Sequence, residues 1–228
     1  GARPVGRTPP PVTARPLAGA HEAWIPMNFI STRNAAPAAS LSQAIAAGLA
    51  PDGGLYVPQA LPAPRPLQPG ATLADTTAGL LAPFFVGDAL EAGLPAICAQ
   101  ALDFPVPLVP LATPGDHVLE LFHGPTAAFK DVGARFLAAA LAHVRRDQPQ
   151  PLTILVATSG DTGAAVAAAF HGQPGLRVVV LYPDGRVSPR QAHQLGCFGG
   201  NISALRVAGS FDDCQALVKR ALGDGELQ

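Results

Sequence analysis

The chain has 228 residues, with 15 Lys+Arg against 16 Asp+Glu and only 14% charged positions. A formal charge of −1 supplies no basic face for nucleic acid or an anionic membrane surface, and 48% hydrophobic residues are ample for a folded core. No stretch of about 18 apolar residues is free of polar interruption, so no membrane-spanning helix is expected.

Residues 1–26 hold six prolines and three arginines, with no acid before Glu22 and no apolar signal core. They read as a disordered leader, translated from upstream of a start at Met27, the only methionine. Ser40 is placed to cap a short helix over 41–47, with Gly48 as its terminating glycine. The turn Pro51-Asp52-Gly53-Gly54 leads into a strand over 55–57 closed by Pro58. Five prolines between 58 and 70 read as an extended connector, and helical patterns follow at 72–82 and 88–102. Pro105, Pro107 and Pro110 mark a break, so 27–105 reads as a small, mostly helical lead domain.

From 106 onwards the pattern changes. A strand is predicted over 117–122 and a helix over 129–144. Leu152–Ala157 is a continuous apolar run, the signature of a strand covered on both faces. Helices over 162–170, 188–195 and 211–222 alternate with strands over 177–182 and 202–207. That alternation implies βαβ units and a parallel sheet, an α/β fold for 106–228. The sequence from Ala221 to Gln228 adds no finishing element, and the chain reads as cut there. Cys98, Cys197 and Cys214 are widely spaced and fit neither a disulfide framework nor a zinc site. They read as buried small hydrophobes in a reducing, cytoplasmic compartment. His117, His123, His143, His171 and His193 never approach metal-ligand spacing, and no metal is expected.

Two segments carry chemistry. Of the basic residues only Lys130 and Lys219 are lysines. Lys219 sits on a plain helix face, whereas Lys130 lies in Ala-Ala-Phe-Lys-Asp-Val-Gly after a His-Gly-Pro-Thr loop. An amine attacks a carbonyl where a guanidinium does not, and apolar neighbours would favour its neutral form. The alternative is a snorkelling lysine at a helix end. The second segment, Ala157-Thr158-Ser159-Gly160-Asp161-Thr162-Gly163, joins a strand to a small-residue helix. Its hydroxyls and helix-start N–H groups suit an anion, although Asp161 as a plain cap is the simpler reading. The segment is not a dinucleotide fingerprint, a P-loop or a hydrolase nucleophile elbow.

Glu120–Gly133 resembles the pyridoxal-phosphate lysine segment of the threonine synthase family, and Ala157–Val166 is similar to that family's second signature. Leu181–Pro189, Asp212–Lys219 and the front from Phe29 to Pro58 extend the likeness from Met27 to Gln228. The resemblance implies a fold-type II, three-layer αβα catalytic domain, here incomplete, and pyridoxal 5′-phosphate as cofactor. It implies that Lys130 holds the cofactor and moves protons at the substrate carbons. Thr158, Ser159, Gly160 and Thr162 would bind the substrate α-carboxylate, with Asp161 near the cofactor's 3′-oxygen. The implied reaction converts O-phospho-L-homoserine and water to L-threonine and phosphate. The family's phosphate loop and pyridine-nitrogen partner would lie beyond Gln228, so a fragment is expected. Two alternatives stand: a phospho-lyase giving 2-oxobutyrate, and a non-catalytic fragment. Cys197–Asn201 reads as a turn, with a phosphate cradle as second choice. Arg135, Ser188 and Arg190 are candidates for the substrate phosphate, against ordinary surface charge for the arginines.

Overall fold

A computed structural model describes residues 26–63, 66 and 70–224. The leader expected over 1–26, except Pro26, and part of the 58–70 connector lie outside the described residues. Strands β1 (Phe29–Ser31) and β2 (Tyr56–Pro58) pair antiparallel around helix α1 (Leu41–Ala47). Helices α2 (Leu73–Phe85) and α3 (Leu94–Ala101) follow, then a hairpin of β3 (Leu108–Pro110) and β4 (His117–Leu119). Next come α4 (Lys130–Val144), β5 (Leu152–Ala157), α5 (Asp161–Phe170), β6 (Leu176–Pro183), α6 (Pro189–Gly196), β7 (Ile202–Val207) and α7 (Phe211–Leu222).

Local chemistry sets many of the ends. Ser40, Thr72, Ser188 and Ser210 each accept from the amide three residues on, and Gln43, Asp75, Gln191 and Asp213 reach back to them. These reciprocal pairs satisfy helix-start donors that have no partner inside the helix. The helix expected from 88 starts instead at Leu94. The Asp88 carboxylate accepts from Ser42 at the start of α1 and from Leu90, which holds 88–93 in turns. The proline-rich break also departs from expectation, because Leu108–Pro110 pairs with His117–Leu119. Pro110 is tolerated at the end of an edge strand, where no ladder donor is needed.

The three long strands form a parallel sheet in the order β5-β6-β7. Side chains alternate across it. Leu176, Val178, Val180 and Tyr182 of β6, with Ile154 and Val156 of β5, pack into a core with α4, α5 and α6. α7 packs on β5 and β6; since Arg177, Val179 and Leu181 point away from that core, it covers the opposite face. β5 is only half-buried, not covered throughout as its apolar run suggests, because it is one of the two edge strands of this sheet among the described residues. A second core joins Phe85, Leu90, Leu94, Ile97 and Cys98 to Ala139 and Ala140. α4 thus faces both cores, with Ala138 and Leu141 in the first and Ala139 and Ala140 in the second.

Candidate active site

Lys130 is the first residue of α4 and is half-buried. Its Nζ lies 4.4 Å from the centroid of the exposed Phe129 ring, and it has no carboxylate partner among the described residues. The loop before it is pinned by its neighbour. Asp131 is 1% exposed, and its carboxylate accepts from the Thr126 amide at 2.9 Å and the Thr126 hydroxyl at 2.7 Å. Position 124 requires glycine because a Cβ there would strike the Asp131 side chain. Ala127 takes a left-handed φ of 56°, which closes the turn onto the helix start. His123 Nε2 lies 2.7 Å from Glu120 Oε2 at the loop's outer side. In the sequence Asp131 is marked only as the acid that follows Lys130 at the helix start, five residues after a threonine.

The second segment is shaped from within by Thr158, which is 2% exposed. Its hydroxyl accepts from the Gly160 amide at 3.1 Å and the Gly163 amide at 2.9 Å, and lies 3.2 Å from the Gly160 carbonyl. The Thr158 hydroxyl therefore caps α5 from inside the turn, the task that the sequence offered to Asp161. Gly160 has φ 150° and ψ −99°, a region open essentially to glycine alone. Gly163 lets α5 close onto Thr158 and Leu195. The amides of Ser159, Asp161 and Thr162 have no acceptor among the described residues, and the Ser159 and Thr162 side chains are exposed. Three free N–H groups and two hydroxyls at a helix start form an anion-ready surface. Asp161 Oδ1 accepts from Gln191 Nε2 at 3.0 Å.

Both segments lie at one end of the sheet. α4 runs for 15 residues, about 22 Å at 1.5 Å per residue, and β5 for 6 residues, about 20 Å at 3.3 Å per residue. Only residues 145–151 join them, so α4 runs antiparallel to β5 and begins level with its carboxyl end. Ligand sites in open α/β sheets gather at that end. The surface is open. A cleft of about 550 Å³ borders Tyr182, His193 and Arg206, and another of about 720 Å³ borders Arg177 and Asn201. Neither includes Lys130.

The weaker candidates fall elsewhere. Residues 197–201 sit at the amino end of β7, the opposite pole from Lys130. Asn201 there is a structural clip: its Nδ2 donates to the Phe170 and Leu176 carbonyls and its Oδ1 accepts from the Gly172 amide. Arg135 is neither loose surface charge nor free for phosphate. It donates to the Ala101 and Gln100 carbonyls and pairs with Asp103 at 2.6 Å, capping the end of α3. The Ser188 hydroxyl is engaged in the α6 capping box, while Arg190 and Lys219 are exposed. Cys98 and Cys214 are fully buried, and burial pushes both thiols up, helped at Cys214 by Asp213. Cys197 is exposed, against the expectation of a buried residue, because it follows the last turn of α6.

Comparison with known proteins decides the family. A profile described as "Pyridoxal-phosphate dependent enzyme" matches residues 104–226, more than half of the chain. The chain belongs to this family. A second profile, "Threonine synthase N terminus", matches residues 28–102. Threonine synthase of Haemophilus influenzae is 43% identical over 204 residues, covering 89% of this chain and 47% of that protein. Threonine synthase of Escherichia coli is 44% identical over 193 residues, covering 83% of this chain and 44% of that protein. The structure of PLP-bound threonine synthase from Brucella melitensis superposes with a TM-score of 0.78 at 40% identity, covering 88% of this chain and 45% of that one. The fold is therefore that of these α/β, fold-type II enzymes, and the chain spans about half the length of the curated relatives it matches. No helix among the described residues is long and apolar enough to cross a membrane.

Proposed function

We propose that this chain carries the cofactor lysine and the substrate-carboxylate loop of a threonine synthase, which converts O-phospho-L-homoserine and water to L-threonine and phosphate. The observation that carries the reading is a lysine amine on a helix start at the same sheet end as three backbone N–H groups, all without a hydrogen-bond or ion-pair partner among the described residues. These residues fit pyridoxal 5′-phosphate and an amino-acid carboxylate. The bound cofactor supplies an electron sink for negative charge at the substrate carbons while phosphate leaves and water adds at Cβ.

Lys130 holds the cofactor and carries protons to and from the substrate carbons. Asp131 fixes the loop ahead of it through Thr126, so the amine starts from a defined backbone. Ser159, Asp161 and Thr162 hold the substrate carboxylate with their amides, aided by the Ser159 and Thr162 hydroxyls. Thr158 and Gly160 serve by shaping that loop, and Asp161 is the residue assigned to the cofactor's 3′-oxygen. Residues 27–105 act as the lead domain and 106–228 as the catalytic part.

The test is to purify the native gene product with pyridoxal phosphate and measure phosphate and L-threonine together from O-phospho-L-homoserine. Equal release of both is expected, and Lys130→Ala should reduce it about 10³-fold or more. Phosphate accompanied by 2-oxobutyrate would make it a phospho-lyase. A folded protein that releases neither is non-catalytic.

A further inference from the structure

The amide side chain of Gln191 links α6 to the head of α5, reaching a residue 30 positions away in sequence. Its Oε1 accepts from the Ser188 amide at 3.0 Å and the Ser188 hydroxyl at 2.9 Å, completing the α6 capping box. Its Nε2 donates to Asp161 Oδ1 at 3.0 Å, at the head of α5. The same carboxamide lies against Gly160, where any Cβ would collide with it. One half-buried side chain thus has its acceptor engaged on α6 and one of its two N–H donors engaged on the loop that presents the free amides.

We propose that Gln191 is a positioning residue: it holds Gly160 and Asp161 in the conformation that turns the Ser159, Asp161 and Thr162 amides outwards, without itself touching the substrate. The proposal rests on the carboxylate-loop reading above for its effect on catalysis, but its effect on the loop is independent of turnover. A capping role alone needs only an acceptor at this position, which glutamate supplies equally well. Holding Asp161 needs a donor, which glutamate lacks, and glutamate adds a like charge beside that carboxylate. The two roles therefore separate by substitution.

The experiment compares Gln191→Glu, Ser188→Ala, Asp161→Asn and the double variant Gln191→Glu/Asp161→Asn in the native gene product. Amide exchange at Gly160, Gly163 and Ala164 is read by NMR without cofactor, and KM and kcat for O-phospho-L-homoserine are read with it. Gln191→Glu should accelerate exchange at these amides about five- to tenfold and raise KM by a similar factor, with kcat less affected. Ser188→Ala should lower the stability of α6 and leave those amides unchanged. In the Asp161→Asn background the donor and acceptor exchange places, because the carboxamide introduced at position 161 can donate to the carboxylate introduced at position 191. There the Gln191→Glu substitution should cost little, and that coupling is the signature of the link. Unchanged exchange in Gln191→Glu, or equal exchange in Gln191→Glu and Ser188→Ala, overturns the proposal. Faster exchange with unchanged KM in an active enzyme overturns the role in carboxylate binding. Absence of wild-type turnover defeats the functional reading alone, and exchange still decides whether Gln191 holds the loop.

Discussion

Thr158 is the residue on which the candidate site depends without exposing a functional group of its own. Its single hydroxyl serves two amides inside a turn that is closed to water. Thr158→Val keeps the shape and leaves both donors buried and unpaired, so a loss of about 1–3 kcal/mol is expected by urea denaturation. Thr158→Ser, which keeps the hydroxyl, should lose less. Asp52 makes a different single-residue case. The Ser31 hydroxyl first, then the Gly54 and Ala35 amides and the nearby Arg33, hold its carboxyl below the usual carboxylate value. Because its folded pKa is the lower one, its stabilising effect is present above its unfolded value and fades as pH falls through the folded one. Asp52→Asn should flatten the acid limb of a stability profile taken from pH 7 to pH 3. The sequence made Lys130, Ser159 and Thr162 legible as chemical groups. It did not make legible which way Thr158 points, since that follows from a backbone angle at Gly160 that no residue type announces.

At the level of elements, the sequence was most legible where a cap is written into it. The helices expected over 41–47 and 211–222 keep those bounds, and the one expected over 188–195 starts one residue later, with Ser188 as its cap. It was least legible where a side chain from afar decides the boundary, as Asp88 does for 88–93 and as His117–Leu119 does by pairing with Leu108–Pro110. The helical glycines give a paired test of the same logic. Glycine to alanine in a helix gains about 1 kcal/mol from propensity alone. At Gly133 of α4 an added Cβ meets nothing within 4 Å, so Gly133→Ala should raise stability by about 0.5–1 kcal/mol. At Gly163 the Cβ runs into Thr158 and Leu195, and overpacking of this kind costs about 1–3 kcal/mol. The collision outweighs the propensity, and Gly163→Ala should melt at a lower temperature than the parent. Equal gains at both positions would contradict the close approach of α5 to α6.

For the molecule as a whole, α4 is the element that makes one body of the described chain. Residues 138–140 are three alanines at 1% exposure or less, so the helix is hemmed in on both sides and neighbours come close. A break in composition at 105 is readable in the sequence, but an interface built from alanines is not, because alanine carries no pattern of its own. Ile97 is fully buried against this helix. Ile97→Ala should cost about 2–5 kcal/mol. Its effect should reach across α4: unfolding followed by far-UV circular dichroism and by amide exchange in β6 should shift together. Separate transitions for residues 26–105 and the parallel sheet would contradict the coupling of the two cores through α4.

The anion-ready surface is built chiefly from main-chain N–H groups, and this has a consequence for how the chain can change over generations. A recognition surface made of backbone is copied whatever side chain occupies position 159, so substitutions there would be inherited as small adjustments of affinity. Positions 160 and 163 have no such latitude: the backbone angle at 160 is open essentially to glycine, and a methyl group at 163 strikes Thr158 and Leu195. Divergent descendants should therefore vary at 159 while keeping both glycines, even in lineages whose substrate has changed.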